Sequence, residues 1–408
     1  VLTVPSSWTE IQRRSILNSA SISNVKVACL LDSSIASALS YVKIHGDRFP
    51  AEKEKGLNIL FIEFGDSSMN VSVSNLSKKT VEIKSTFSDE TLGGQHFTDV
   101  LEKFLLEKVT EKYKIDPKTN KRSMIRFKQA VEKVKKNLSS NPVVLFEVPS
   151  LMNDIDISMT IKREEFNELI KDEVARIKPN IEKALEKANL SKEQISFVEI
   201  IGGSSRIASI KAEIKEIIGS DAKMSLDLDE CFAIGAGYMA SKIDGNDIGV
   251  EIINEKCSHE IVAKNNEDNN NVVSVFNDNS LMPSISNIKM EINNKQNLSF
   301  ICNNSTVGVA SIETGVDEKV DAEIEVSIDS FGLINIKDAA YKIIHKEEIK
   351  EPNETEEAKE QTEAEEAKEQ TETEESKEQT ETEEAKEQTE IEEAKEQAET
   401  ENKEHNET

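Results

Sequence analysis

Gly202-Gly203-Ser204-Ser205-Arg206 is the stretch whose residue types and spacing can do chemistry. Two adjacent glycines let the backbone turn sharply and leave no side chain between the main chain and a ligand. The free N–H groups of a helix start behind such a turn suit a phosphate or a nucleoside edge. Phe197–Ile201, before the glycines, reads as a buried strand interrupted only by Glu199. Ser204-Ser205 read as the cap of a helix running from Ile207 to Ile218. A strand–glycine–helix turn also serves simply to pack a helix closely on a sheet, and the motif alone does not separate the two uses.

A second group, Glu132, Lys135, Lys136 and Ser139, falls on one helical face at spacings of three, four and seven. By itself such a face is ordinarily a solvated basic helix. Cys257-Ser-His259 could begin a metal site, but no second pair follows it. Cys29, Cys231 and Cys302 are too scattered for a disulfide framework, so the cysteines fit a reducing compartment.

The elements that must position these residues follow from hydrophobic period. Pro5 to Asn18 runs from a turn into a helix capped at Ser7 or Thr9; Val25–Leu31 reads as a strand and Ser34–Tyr41 as a helix. Leu57–Phe64 reads as a buried strand, with alternating neighbours at Met69–Val73 and Thr80–Phe87. Helices are expected over Gly94–Tyr113, Ser123–Leu138 and Arg163–Asn189, the last broken before Pro179, with a hairpin of Val143–Val148 and Ile155–Ile161 between them. A final helix spans Leu228–Ser241. After Gly245 the texture changes to short alternating strands: Val272–Phe276, Ile288–Ile292, Leu298–Cys302, Ala322–Ile328 and Leu333–Ile336. The expected architecture is an α/β unit with a mixed sheet, then a small antiparallel β domain.

Charge divides the chain unevenly. Its 408 residues carry a net charge of −28, and residues 351–408 alone hold 25 Glu against 6 Lys. Lys-Glu-Gln recurs there every nine residues, at 359, 368, 377, 386 and 395. Nine residues carry a helix through two and a half turns, so successive repeats face opposite sides and no apolar stripe forms. A disordered acidic tail is expected. Nothing basic enough to hold nucleic acid stands out, and no apolar run is long enough to span a bilayer.

These motifs together resemble the heat shock protein 70 family, and within it the heat shock protein 110 branch. VLTVPSSWTEIQRRSIL is similar to that family's proline-containing segment, NILFIEFGDSSMNVSV to its second phosphate loop, and TLGGQHF to its LGGxxFD turn. AVEKVKKNLSSN resembles the adenosine-binding helix, SLMNDIDISMTIKREEFNELI a segment of the 110 branch, and VEIIGGSSRI with LDLDECFAIGAGYMAS the adenosine turn and closing helix. The resemblance continues more faintly through VFNDNSLMPSIS and VSIDSFGLINI, which are similar to the substrate-binding β-sandwich. It implies a partial actin-like (ribonuclease H-like) nucleotide domain over 1–243, a β domain over 247–345 and the acidic tail over 351–408. The chain opens at Val1 inside what reads as a strand, so the expectation is a fragment lacking most of the first lobe.

The resemblance also implies roles. Gly65, Ser67 and Ser68 fall on the phosphate loop, Gly93 and Gly94 near the β- and γ-phosphates, and Glu63 on the position that orients magnesium-bound water. Glu132, Lys135, Lys136 and Ser139 face ribose and adenine; Gly202, Gly203 and Ser204 meet the adenosine edge; Arg206 forms the opposite wall and Asp229 approaches the ribose. Pro5 and Arg13 match the family's proline switch and arginine relay. ATP/ADP and Mg2+ are the implied cofactors. Asp66 and Ser67 replace glycines, Lys136 replaces an arginine, and Ser33 stands where a hydrolytic acid is expected, with Asp32 one residue early. Serine is no general base at neutral pH, so hydrolysis should be slow or absent.

The expected function is a cytoplasmic chaperone or co-chaperone of the 110 type. It would act in protein folding and the stress response as a nucleotide exchange factor for a 70-type partner, and hold unfolded polypeptide clients. Alternatives are a degenerate, non-hydrolysing scaffold and an actin-like ATPase or sugar kinase; the β domain after Gly245 argues against the last. The short polar segment Ile243–Ile248 is expected to dock poorly on the nucleotide domain.

Overall fold

A computed structural model describes residues 1–49, 56–219, 221–253, 257, 259–266, 271–277, 280–293, 295–315 and 319–341. The tail repeats lie outside the described residues. The first elements are β1 (Leu2–Val4), α1 (Glu10–Ile22), β2 (Leu30–Asp32) and α2 (Ser33–Ile44). There follow β3 (Leu57–Phe64), β4 (Met69–Leu76), β5 (Thr80–Asp89), α3 (Gly94–Tyr113), α4 (Lys121–Leu138), β6 (Val143–Met152) and β7 (Ile155–Lys162). Three short helices come next, α5 (Arg163–Leu169), α6 (Lys171–Ala175) and α7 (Ile177–Lys187), then β8 (Phe197–Ile201), α8 (Ala208–Ile218) and α9 (Cys231–Ile243).

β3 is apolar from Ile59 to Ile62 because helices cover both faces of its sheet. Leu60, Ile62 and Phe64 join a core with α3, α4, α7 and α8, while Ile59 and Phe61 point into a second core with α2 and α9. Strand order is β8-β3-β4-β5 and then β9 (Glu251–Ile253). β3 is parallel to β8 and antiparallel to β4, and β9 joins the far edge parallel to β5, so the sheet is mixed as expected. The charge inside β8 is accommodated by hydrogen bonds: Glu199 is fully buried and accepts the Leu226 amide at 2.8 Å and the Ser225 hydroxyl at 2.9 Å.

Several boundaries differ from the expectation for identifiable reasons. The strand expected over 25–31 begins only at Leu30, because β2 has just three residues of β1 to pair with. The long helix after Arg163 breaks at Ile170 and Arg176, and Pro179 sits in the first turn of α7, where a missing N–H costs nothing. β6 runs past Pro149 to Met152 through an irregular stretch where the register with β7 shifts. α9 starts at Cys231 rather than Leu228, since Asp227 accepts the Asp229 and Glu230 amides and fixes a turn there.

Beyond α9 the chain forms β9, β10 (Ile261–Asn265), β11 (Val272–Phe276), β12 (Ser284–Ile292), β13 (Lys295–Cys302), β14 (Ser305–Glu313), β15 (Val320–Ile328) and β16 (Ile334–Tyr341). β11-β10-β13-β14 and β12-β15-β16 are two antiparallel sheets whose inward residues, such as Ala263, Phe300, Ile288 and Ile324, share one core. The expectation that the segment after α9 docks poorly is overturned. Ile248 and Val250 are buried in the α2–α9 core, Lys43 Nζ donates to the Ile248 carbonyl, and β9 extends the mixed sheet. Most of the apolar contact comes from residues at the end of the polar stretch and just past it, where sequence composition gives no hint of docking.

Candidate functional site

The turn after β8 is fixed by two constraints. Gly202 has φ of +90°, and a Cβ there would lie 2.3 Å from the Phe64 carbonyl oxygen, so only glycine fits between the ends of β8 and β3. Ser205 is buried and its hydroxyl turns back on the Gly202 carbonyl at 2.5 Å. The two serines therefore do not cap α8; residues 203–206 make a 3-10 turn and Ile207 precedes the helix. The turn carries Arg206 outward to Asp229 at 2.8 Å, an exposed pair in which the Asp229 hydrogen bond raises the guanidinium pKa further.

Across from it, α4 buries Phe127, Val131, Val134 and Leu138 and turns Glu132, Lys135, Lys136 and Ser139 toward the same space. Lys135 is buried and acts as a strut. Its Nζ donates to the Gly94 carbonyl at 2.9 Å and the Thr98 hydroxyl at 2.7 Å, and pairs with Glu132 at 2.8 Å. Thr98 in turn donates to Glu132 at 2.7 Å. Burial pushes the Glu132 carboxyl up, but the hydrogen bonds from Lys135 and Thr98 outweigh it and hold the group below its ordinary range. Lys136 points to solvent, 3.4 Å from Glu132.

Gly93 and Gly94 open α3 in close contact with the loop after β3. A Cβ on Gly93 would meet the Asp66 carbonyl oxygen at 2.5 Å, and one on Gly94 would meet the Ser204 hydroxyl at 2.2 Å. The four amides that a helix start leaves over are all taken inside the protein. Gly93 donates to His96 Nδ1 at 3.1 Å, Gly94 to the Gly65 carbonyl at 3.0 Å, Gln95 to the Asp66 carbonyl at 2.7 Å and His96 to the Gly93 carbonyl at 3.1 Å.

These elements enclose a cleft of about 680 Å³. Of the residues expected at a site, Gly65, Glu132, Lys135, Lys136, Ser139, Gly203, Ser204, Arg206 and Asp229 line it. Asp66, expected on the phosphate loop in place of a glycine, lines it too; Ser140, Ile207 and Lys211 also line it and were not expected, Lys211 being visible only as one more lysine on an amphipathic helix. Ser67, Ser68, Gly93, Gly94 and Gly202 shape the walls from behind without lining them. Pro5 and Arg13 belong elsewhere: Pro5 accepts the Trp8 amide, and Arg13 pairs with buried Asp32 at 2.5 Å.

Glu63 also faces away from the cleft. It borders a separate small cavity with Ser6, Ser33, Ser34 and Asn70, and accepts the Ser33 hydroxyl at 3.0 Å. Burial raises the Glu63 pKa, against the pull of hydrogen bonds from Ser33 and Asn70. Turned into its own cavity, that carboxyl is not placed to hold a metal at the cleft. The lining of the cleft thus sets Asp66, Glu132 and Asp229 beside Lys135, Lys136, Arg206 and Lys211. Cys257 and His259 are likewise structural: the thiol donates to the His259 carbonyl, and the imidazole, its pKa lowered by burial, bridges the Ser7 carbonyl and Asn303.

The family model described as Hsp70 protein matches residues 1–408. The chain is 30% identical over 375 residues to heat shock 70 kDa protein 4 of Rattus norvegicus, covering 87% of this chain and 44% of the rat protein. It is 30% identical over 373 residues to heat shock protein hsp88 of Neurospora crassa, covering 86% of this chain and 52% of that one. It is 33% identical over 242 residues to heat shock 70 kDa protein 4L of Homo sapiens, covering 59% of this chain and 29% of the human protein. The chain thus spans about half the length, or less, of the curated relatives it matches.

Proposed function

The chain belongs to the Hsp70 family, and on that premise we propose that it is a nucleotide-binding chaperone or co-chaperone of the 110 type. The cleft holds adenosine between α4 and the turn after β8. The observation that carries this reading is the meeting of two segments some seventy residues apart, Glu132–Ser139 and Gly203–Arg206, around one cleft. Turnover of ATP is slow, because Ser33 supplies no carboxylate and Glu63 borders a cavity separate from the cleft. The two antiparallel sheets over 261–341 act as a β-sandwich that holds unfolded polypeptide, and the setting is the cytoplasm.

Exchange of nucleotide on a 70-type partner is the expected activity, through the lobe built from α3, α4 and the β6–β7 hairpin. An interface of one lobe sits toward the small end of specific complexes, so its affinity depends on rim charge and falls with salt. Stopped-flow release of a fluorescent ADP analogue from a 70-type chaperone tests this. We expect acceleration at micromolar chain and low salt, lost when exposed Lys128 and Lys133 are both changed to Glu. No acceleration under those conditions removes the exchange role. A second reading, a non-hydrolysing scaffold, is favoured by the way α3's amides are satisfied from within. A sugar kinase is disfavoured by the two sheets that follow α9.

A further inference from the structure

We propose that the cleft is selective for the nucleoside: the phosphates of an adenine nucleotide add little to its affinity for this chain. This rests on the reading of the cleft as an adenosine site and concerns what that site rewards. Three features of the walls carry it. First, the start of α3 offers no amide to an anion, since the leading N–H groups of Gly93, Gly94, Gln95 and His96 donate in turn to the His96 ring nitrogen and to the Gly65, Asp66 and Gly93 carbonyls. A helix start whose donors are spent inside the protein has lost the hydrogen-bonding half of anion recognition and keeps only a dipole.

Second, three of the four cations that line the cleft are already paired, while Lys211 forms no ion pair among the described residues. Lys135 is tied to Glu132, Gly94 and Thr98, Lys136 lies beside the same carboxylate, and Arg206 is held by Asp229. A polyphosphate would have to break these pairs or settle for a screened fraction of their charge. Third, the loop itself contributes a carboxylate. Asp66 lines the cleft, forms no ion pair among the described residues, and would stand 3.4 Å from a Cβ on Gly94, against the start of α3. A negative group at that point repels phosphate just where the tight loop–helix junction would otherwise admit it. The Ser139 and Ser204 hydroxyls in the lining, by contrast, suit the neutral donors and acceptors of a ribose and a base.

Calorimetric titration of the full chain with adenosine, AMP, ADP and ATP, the last two with magnesium, tests the inference. We expect adenosine and ATP to bind within about threefold of each other, with little dependence of either on salt. Asp66→Asn, in an exposed loop, should raise the ratio of ATP to adenosine affinity by about tenfold. ATP binding about thirtyfold or more tighter than adenosine in the unaltered chain would overturn the proposal. So would a ratio unmoved by Asp66→Asn. If none of the four ligands binds at millimolar concentration, the adenosine reading of the cleft fails first, and selectivity with it.

Discussion

Glu63 and Ser33 meet at 3.0 Å at the end of a strand and the start of a helix, and their chemistry is that of a carboxyl kept from water. Burial raises the carboxyl pKa above its unfolded value. The folded chain therefore keeps a proton that the unfolded chain releases. The associated stability is full below the ordinary glutamate range and is lost as pH rises through the elevated pKa. We predict that Glu63→Gln raises the melting temperature near pH 7, with the difference shrinking toward about pH 4. Thermal melts across that range check it, and a glutamine variant less stable at neutral pH contradicts it. Period alone revealed the face formed by Glu132, Lys135, Lys136 and Ser139. It did not reveal that Lys135 is buried, because Gly94 and Thr98 lie about forty positions earlier and leave no periodic trace.

Helix α9 carries two glycines with opposite duties. A Cβ on Gly235 would lie 2.0 Å from the Ala36 carbonyl oxygen of α2, whereas one on Gly237 would meet nothing within 4 Å. Gly235 is what lets α2 and α9 approach and cover the second core. We predict that Gly235→Ala costs about 1–3 kcal/mol through overpacking. Gly237→Ala should be neutral or stabilise by up to about 1 kcal/mol through helix propensity. Urea denaturation of both separates them, and equal effects would contradict the packing account. Elements buried on both sides were readable: Leu57–Phe64 and Phe197–Ile201 form strands over the expected residues. β14 was not, because it is an edge strand whose side chains are mostly exposed or half-exposed and alternate weakly. β9 was missed because it gains its place from the edge of β5, a partner more than 160 residues away.

Arg13 joins distant parts of the molecule. It pairs with Asp32 at 2.5 Å, donates to the Trp8 carbonyl at 3.1 Å, and packs against Gly332 in the turn between β15 and β16. Removing one member of a buried pair strands the other charge. We predict that Arg13→Ala destabilises the chain by about 3–5 kcal/mol, and that adding Asp32→Leu recovers part of the loss. Chemical denaturation of the single and double variants reads this; a double variant no better than the single contradicts the pairing. On the proposed reading, the α/β part of this chain holds adenosine between α4 and the turn after β8. Titration of the full chain with a fluorescent adenosine nucleotide, beside Arg206→Ala, tests it most directly. Saturable binding, weakened when Arg206 is removed from the wall of the cleft, is the predicted result. No saturable binding, or equal binding by the variant, would contradict it.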